Sequence, residues 1–420
     1  MTEHTPKKRM SPAERRRRMY RKSKRYRRRV IRRRLILGGT ALVLLLLLTG
    51  IVLTVRSCGK SKEVPASSSS ASGGADSSSA AVTPAPTKPP MDPVSLTVSV
   101  VGDCTLGTDE NFDYSTSLNA YFDSYGKDYF LQNVKDIFSQ DDLTIANFEG
   151  VLTEADTRAD KQFAFKAPPS FAGILSSGSV EAVNMSNNHS SDYGEESFQD
   201  TLKALDAENI VHFGYDETAV VDVKGVKVGL VGIYELYDHL ERTQQLKDNI
   251  AKVKADGAQL VIVIFHWGNE RETVPDSNQM TLGRLAIDEG ADLVCGHHPH
   301  VLQGIETYKG KNIVYSLGNF CFGGNSAPSD MDSMIFQQTF TITEDGVTAD
   351  NVTNIIPCSI SSEYGYNNYQ PTPSQGDEAE RILAKIEERS SWIETAEPQG
   401  ITSAEPSESP DAEISDSAES

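Results

Sequence analysis

Between residues 94 and 360, eight apolar runs of strand length recur, with helical patterns between several of them. The runs read LTVSVVGD, LTIANFEG, VEAVNMSNN, VKVGLVGIYE, AQLVIVIFHWGNE, ADLVCGHHPH, KNIVYSLGNF and MIFQQTFTIT. The helical stretches are YFLQNVKDIFSQ, EESFQDTLKALDAEN, QLKDNIAKVKADG and QMTLGRLAIDEG, the last two ending on glycine, a common helix stop. Short β-type runs alternating with helices predict an α/β domain. A chain of 420 residues is long enough to give such a domain a sizeable core. No repeat of fixed period appears.

The polar residues of these runs gather at their ends. The first ends in Asp103, the second in Asn147 and Glu149, the third in Asn187, Asn188 and His189. The fifth ends in His266 and Glu270, and the sixth in His297, His298 and His300. In open α/β sheets the carboxyl ends of the strands converge on one rim, where ligands bind. Residues spread over two hundred positions are therefore expected to meet in one site. Carboxylate, amide and imidazole together suit divalent zinc, manganese or iron, one ion or two, with a carboxylate able to bridge a pair.

Each of these residues also has a structural reading. Asp103 after a glycine is a common turn residue, and Asn187 and Asn188 are common helix caps. His266 beside Trp267 fits a satisfied core histidine. In SLGNF, Asn319 can bond the backbone around a tight turn or line a pocket. Glu270 can orient a ligating histidine or stand in solvent. The clustering of metal-type residues at strand ends favours a site over this set of coincidences.

The flanks have a different composition. Residues 1–34 carry 17 Lys or Arg against two Glu, which leaves 23 basic and 57 acidic residues in the rest of the chain. The basic block abuts LILGGTALVLLLLLTGIVLTV, 21 residues without a charge, so it reads as a cytoplasmic tail beside a membrane span and not as a nucleic-acid-binding arm. Basic flanks stay on the cytoplasmic side, which places everything after Val55 outside the cytoplasm. A cleaved signal peptide fits less well, because the apolar stretch exceeds an ordinary h-region and no small-x-small site follows it. Arg56 also fits poorly with lipid attachment at Cys58. The five cysteines have neither zinc-ribbon nor disulfide-framework spacing.

The expected organisation is a basic cytoplasmic tail (1–34), a transmembrane helix (35–55), a Ser/Ala/Pro-rich linker (56–93), a folded domain (94–360) and an acidic tail (361–420). The last is expected to be mostly disordered, with one helical patch around Glu378 to Arg389. The cell membrane is the expected location, crossed once, with the folded domain extracytoplasmic.

Six motifs in order, VGDCTLG, ANFEG, NMSNNHSSDYG, FHWGNE, GHHPHVLQGIE and VYSLGNF, closely resemble those of the CapA family. These are the bacterial poly-γ-glutamate capsule-synthesis proteins, which look like relatives of the calcineurin-type metallophosphoesterases. The resemblance runs from about Leu96 to Pro357 and implies a four-layer α-β-β-α metallophosphoesterase-like sandwich. It implies Asp103 as the first metal carboxylate, Glu149 in the bridging position, Asn188, His266, His298 and His300 as further ligands, and His189 as proton donor to a leaving group. His297 remains an alternative to His298, and Asn147, Glu270 and Asn319 are expected around the ligands or the substrate. The superfamily's opening Asp-x-His is Asp103-Cys104-Thr105 here, so one ligand is missing and the metal count is open.

The function implied is that of a membrane-anchored factor in capsule or poly-γ-glutamate biosynthesis or export. Its partners would be the lipid bilayer, an anionic polymer such as poly-γ-glutamate, and membrane-embedded synthesis proteins. Catalysis is left open; if present, it is metal-dependent hydrolysis of a phosphoester or γ-glutamyl amide. The alternatives are a surface metallophosphoesterase or amide hydrolase unrelated to capsule, and a non-catalytic polymer-binding scaffold.

Overall fold

The computed structural model describes residues 92–394, apart from 345 and 349–351. The expected basic tail, membrane span and most of the linker lie outside these residues, as does the end of the acidic tail. Among the described residues no helix is long and apolar enough to cross a membrane.

The fold is mixed α/β. The chain enters on β1 (Val94–Thr105), then adds β2 (Leu143–Phe148), β3 (Ala182–Asn184) and β4 (Val211–Phe213), each parallel to the one before. It moves to a second sheet with β5 (Ala219–Val223), β6 (Val226–Tyr234), β7 (Leu260–His266), β8 (Leu293–His297), β9 (Ile305–Tyr308) and β10 (Lys311–Val314). Strands β6, β7, β8 and β10 are mutually parallel, with β5 and β9 antiparallel at the two edges. The chain returns to the first sheet as β11 (Asn319–Phe322), β12 (Asp332–Thr343) and β13 (Val352–Ser359). Strand β12 runs antiparallel to β1 as far as Val101, and β11 then pairs with β1 in parallel at Asp103.

Alternation of side chains assigns the layers. On β7, Ile262 and Ile264 face the first sheet and pack with Val98, Val100 and Ile145. Their neighbours Val261, Val263 and Phe265 face outward, onto α3 (Thr243–Ala255) and α4 (Ser277–Glu289) through Leu246, Ile250, Leu282 and Ala286. The outer face of the first sheet, with Val101, Ala146 and Val183, is covered by α1 (Leu118–Tyr125), α2 (Gly194–Ala207) and the intervening loops, through Leu118, Phe171 and Leu205. Helix α4 starts on a full capping box between Asp276 and Gln279, which fixes its first turn.

Two expectations need correcting. The stretch YFLQNVKDIFSQ does not make one helix: Tyr129 ends a short 3-10 turn and only Lys135–Phe138 is α-helical, and its N-cap Val134 has no side-chain acceptor for the free amides. The boundary at 360 is also too early, and the tail is not disordered throughout the described part. Thr372–Pro373 adds a short strand beside β13, and α5 (Gly376–Glu394) packs on the body. Ile382 and Ile386 of α5 enter the inter-sheet core, and Ile393 joins the outer cluster of the second sheet.

Candidate metal centre

The side chains that face between the sheets turn polar where the strands end. On β2, Ile145 faces inward, so Asn147 and Glu149, two and four positions on, do too. On β7, Ile264 leads in the same way to His266. Strand β1 reaches the same face only through an irregularity. Val100 pairs with Ile145 and Asp103 with Asn147, so β1 carries one extra residue between them. This bulge turns Asp103 and Thr105 inward and leaves Val101 and Cys104 in the outer core. Gly102 allows it: a Cβ there would lie 2.2 Å from the carbonyl oxygen of Gly318, which accepts the Asp103 amide at 2.9 Å. Asn319, Asp103, Asn147 and Asn184 thereby lie side by side across the first sheet, facing His266 and His297 of the second.

Hydrogen bonds lock this row. Asn184 donates to Asn147 Oδ1 at 2.8 Å, and Asn147 donates to Asp103 Oδ1 at 2.7 Å. The same Asn147 nitrogen lies 3.2 Å from His266 Nδ1, and His266 Nε2 lies 2.8 Å from Asn188 Oδ1. His300 Nδ1 lies 2.9 Å from Asn319 Oδ1 and 3.2 Å from Asp103 Oδ2.

Glu149 sits at the centre. Its Oε2 accepts from Thr105 at 3.0 Å, while its Oε1 is buried without a hydrogen-bond partner. Around Oε1 stand the Nε2 atoms of His266, His189 and His300, at 3.8, 3.9 and 3.9 Å. Glu149 belongs to two groups of donor atoms that converge within 4.8 Å, one with Asp103 and His300 and one with His266 and His298. Glu270, with His298 and His300, makes a third. The donor set and the unpartnered oxygen fit a divalent cation, which would satisfy an atom that otherwise bears a desolvation cost.

The three clustered histidines have different surroundings. His297 is fully buried; its Nε2–H donates to the Val101 carbonyl at 2.9 Å and its Nδ1 lies 3.3 Å from that of Phe265. It is a tie between the sheets. His298 Nδ1 is buried and unpartnered, so of the two candidates His298 has the free lone pair. His298 and His300 both have positive φ, 93° and 55°, a strained conformation costing on the order of 1–3 kcal/mol each. The strain brings two residues only two positions apart toward the same carboxylates.

The charges of these side chains divide in a regular way. Burial opposes a charge on His300, but Glu149 and Asp103 outweigh it and push the imidazole up to about 10. Burial likewise raises Asp103, yet the hydrogen bond and charge of His300 hold it well below the usual carboxylate range. Burial lifts Glu149 above its ordinary value, and burial with the charge of His300 lowers His298 to about 3. Burial, then His298, holds His266 well below its ordinary value, so both imidazoles stay neutral. Cys104 is no substitute ligand: it faces the outer core and burial pushes its thiol up to about 12.

Three site residues went unread in the sequence. Asp192, three positions after His189, accepts from His189 Nδ1 at 2.7 Å and from Lys161 at 2.6 Å. Lys161 also donates to the Asn188 carbonyl at 2.9 Å. Asn184 ends the apolar run of β3, the same position that marked Asn147. A cleft of about 510 Å³ opens from the rim, lined by His189, His300, Asn319, Glu270 and Arg271 among others.

Fold and site together define an α/β protein with a histidine–carboxylate centre at the strand ends. Residues 97–324, more than half of the chain, match the family described as "Bacterial capsule synthesis protein PGA_cap", and the chain belongs to that family. It is 30% identical over 253 residues to the "Capsule biosynthesis protein CapA" of Bacillus anthracis, covering 54% of this chain and 60% of that protein. It is 30% identical over 248 residues to the "PGA biosynthesis protein CapA" of Bacillus subtilis (strain 168), covering 54% and 63%. A "Probable polyglutamine synthesis accessory protein" of Mycobacterium tuberculosis is 28% identical over 209 residues, covering 42% and 55%. The chain thus spans less than two thirds of the length of each of these relatives.

Proposed function

We propose that this chain is a membrane-anchored accessory factor of capsule or poly-γ-glutamate biosynthesis, whose extracytoplasmic domain works on the polymer through a one- or two-ion site. The observation that carries the site is Glu149 Oε1, buried, without a hydrogen-bond partner and common to two donor groups. Asp103, Glu149 and His300 would hold one ion; Glu149, Asn188, His266 and His298 would hold the other. A bound divalent ion supplies positive charge that polarises a carbonyl or phosphoryl oxygen and acidifies water. The protein's own groups complete the chemistry. Asp192 accepts the Nδ1 proton of His189, which leaves Nε2 to exchange a proton with a leaving group in the cleft. The two stacked sheets with helices outside support a four-layer metallophosphoesterase-like reading. The anchor and the outward orientation rest on the apolar stretch at residues 35–55 and its basic flank. Polymer, synthesis proteins and bilayer are the partners of this reading.

Elemental analysis of the full chain tests it. Stoichiometric zinc, manganese or iron, lost in Glu149→Gln and in His298→Ala/His300→Ala, is expected; a folded wild-type chain that takes up none of the three defeats the metal reading. Protease digestion of intact cells tests orientation, with cleavage expected beyond residue 56 and protection of residues 1–34.

A second reading is a polymer-holding scaffold without turnover. Thr105 favours it, because a hydroxyl bonded to Glu149 stands where the resemblance has a histidine ligand. Turnover of a model phosphodiester or of poly-γ-glutamate that disappears in His189→Ala decides for hydrolysis; retention without turnover decides for the scaffold.

A further inference from the structure

The described residues contain six arginines, and five spend their guanidinium on the protein. Arg158 donates to Asp109 at 2.6 Å, Arg242 to Asp238 at 2.6 Å, Arg284 to Glu306 at 2.8 Å, Arg381 to Asp332 at 2.8 Å, and Arg389 to the Leu302 carbonyl. The sixth, Arg271, has no side-chain partner among the described residues. Among the described residues it is also the one Lys or Arg that lines the cleft at the strand ends.

The backbone fixes Arg271 in this position. Its φ of 67° lies in the left-handed region that arginine rarely adopts, and its amide donates to the Pro299 carbonyl at 2.8 Å. That bond ties it to the turn carrying His298 and His300. Of the carboxylates that share the cleft, Asp113 and Asp330 have partners of their own, and Glu270 lies toward the histidines of the centre. Asp113 accepts from the Ser115 amide at 3.0 Å, and Asp330 faces Lys385 at 3.4 Å. Glu270 converges with His298 and His300. A planar cation with free donors beside a histidine–carboxylate centre fits a bidentate carboxylate of the ligand.

We propose that Arg271 is a specificity-determining residue that seats a free carboxylate of the substrate next to the bond held at the centre. This rests on the polymer reading given above and deepens it. In a γ-linked glutamyl chain, each amide nitrogen is attached to a carbon that bears a free carboxylate. An anchor in the same cleft as His189 therefore selects the unit on the leaving side of the bond. A neutral chain, or one whose carboxylates lie further from the amide, lacks that handle.

Calorimetric titration of the full chain at physiological ionic strength tests this with a γ-linked glutamyl trimer and its α-carboxamide counterpart. Wild type is expected to prefer the carboxylate form by about tenfold or more. Arg271→Ala should abolish the preference, and Arg271→Lys should keep part of it, with metal content equal in all three. Preference undiminished in Arg271→Ala, while the trimer still binds, overturns the assignment of Arg271 and leaves the polymer reading standing. Failure of wild type to bind either oligomer overturns the polymer reading and the assignment with it.

Discussion

Glu149 has one oxygen bonded to Thr105 and the other without a hydrogen bond among three imidazoles, so its burial is offset only in part, by the charge on His300, until a metal ion arrives. Glu149→Gln removes that cost, and the metal-free protein should melt at the same temperature or slightly higher. The rise in melting temperature on adding zinc, equivalent to about 2.7 kcal/mol at a hundredfold excess over Kd, should vanish. Thermal melts with and without zinc measure both. His297 and His298 should separate under the same logic. His297→Ala breaks the tie to the Val101 carbonyl and should destabilise by about 2–4 kcal/mol in urea titrations. His298→Ala should change stability by under about 1 kcal/mol, because its Nδ1 has no partner to lose, yet weaken metal binding tenfold or more. This distinction was not legible in the sequence, since both histidines follow the same run. The bulge at Gly102 and the positive φ of His298 settle it, and neither leaves a mark in spacing. Asn147, Glu149 and His266 were legible because period-two alternation carries an inward face to the strand end.

Helix α5 is the element whose role the sequence disguised. Its acidic and Ser/Pro-rich surroundings read as tail, although Ile382, Ile386 and Ile393 mark one apolar stripe. All three are buried, at roughly 1.5–3 kcal/mol each as an upper estimate, so ending the chain at Gln375 should cost several kcal/mol. A lowered urea midpoint checks this. The helix is also held by Asp332, which accepts from Arg381 at 2.8 Å and from Lys385. Burial would raise the Asp332 carboxyl, but these two cations outweigh it and keep it below its ordinary value of 3.8. Its contribution is therefore complete above about pH 4 and is lost as acid protonates the folded form below that. Urea midpoints measured from about pH 6 down to about pH 3 should fall more steeply in wild type than in Asp332→Asn. The helix predicted over YFLQNVKDIFSQ failed for the opposite reason, with apolar residues in place but no cap to start it.

Taken whole, the chain beyond residue 34 is strongly acidic, with 57 acidic and 23 basic residues. A polyanion would be repelled over most of this surface, so retention of poly-γ-glutamate should depend on a bound divalent ion. Sedimentation of the full chain with the polymer should lose the complex on chelation and regain it on adding back the metal. That the runs build an α/β domain was legible at this scale, because short β-type runs alternate with helical stretches; the return of β11 to the first sheet was not, since it depends on a bulge and a close approach at Gly102. The entry point has a mechanical consequence as well. The chain joins the fold through β1, which lies between β12, paired at eight positions from Val94 to Val101, and β2, paired at five. A pull on the N-terminal side acts along that strand, so both ladders are loaded in shear and rupture together instead of peeling one bond at a time. A domain tugged by a growing polymer would be gripped by the part of its structure best placed to bear force.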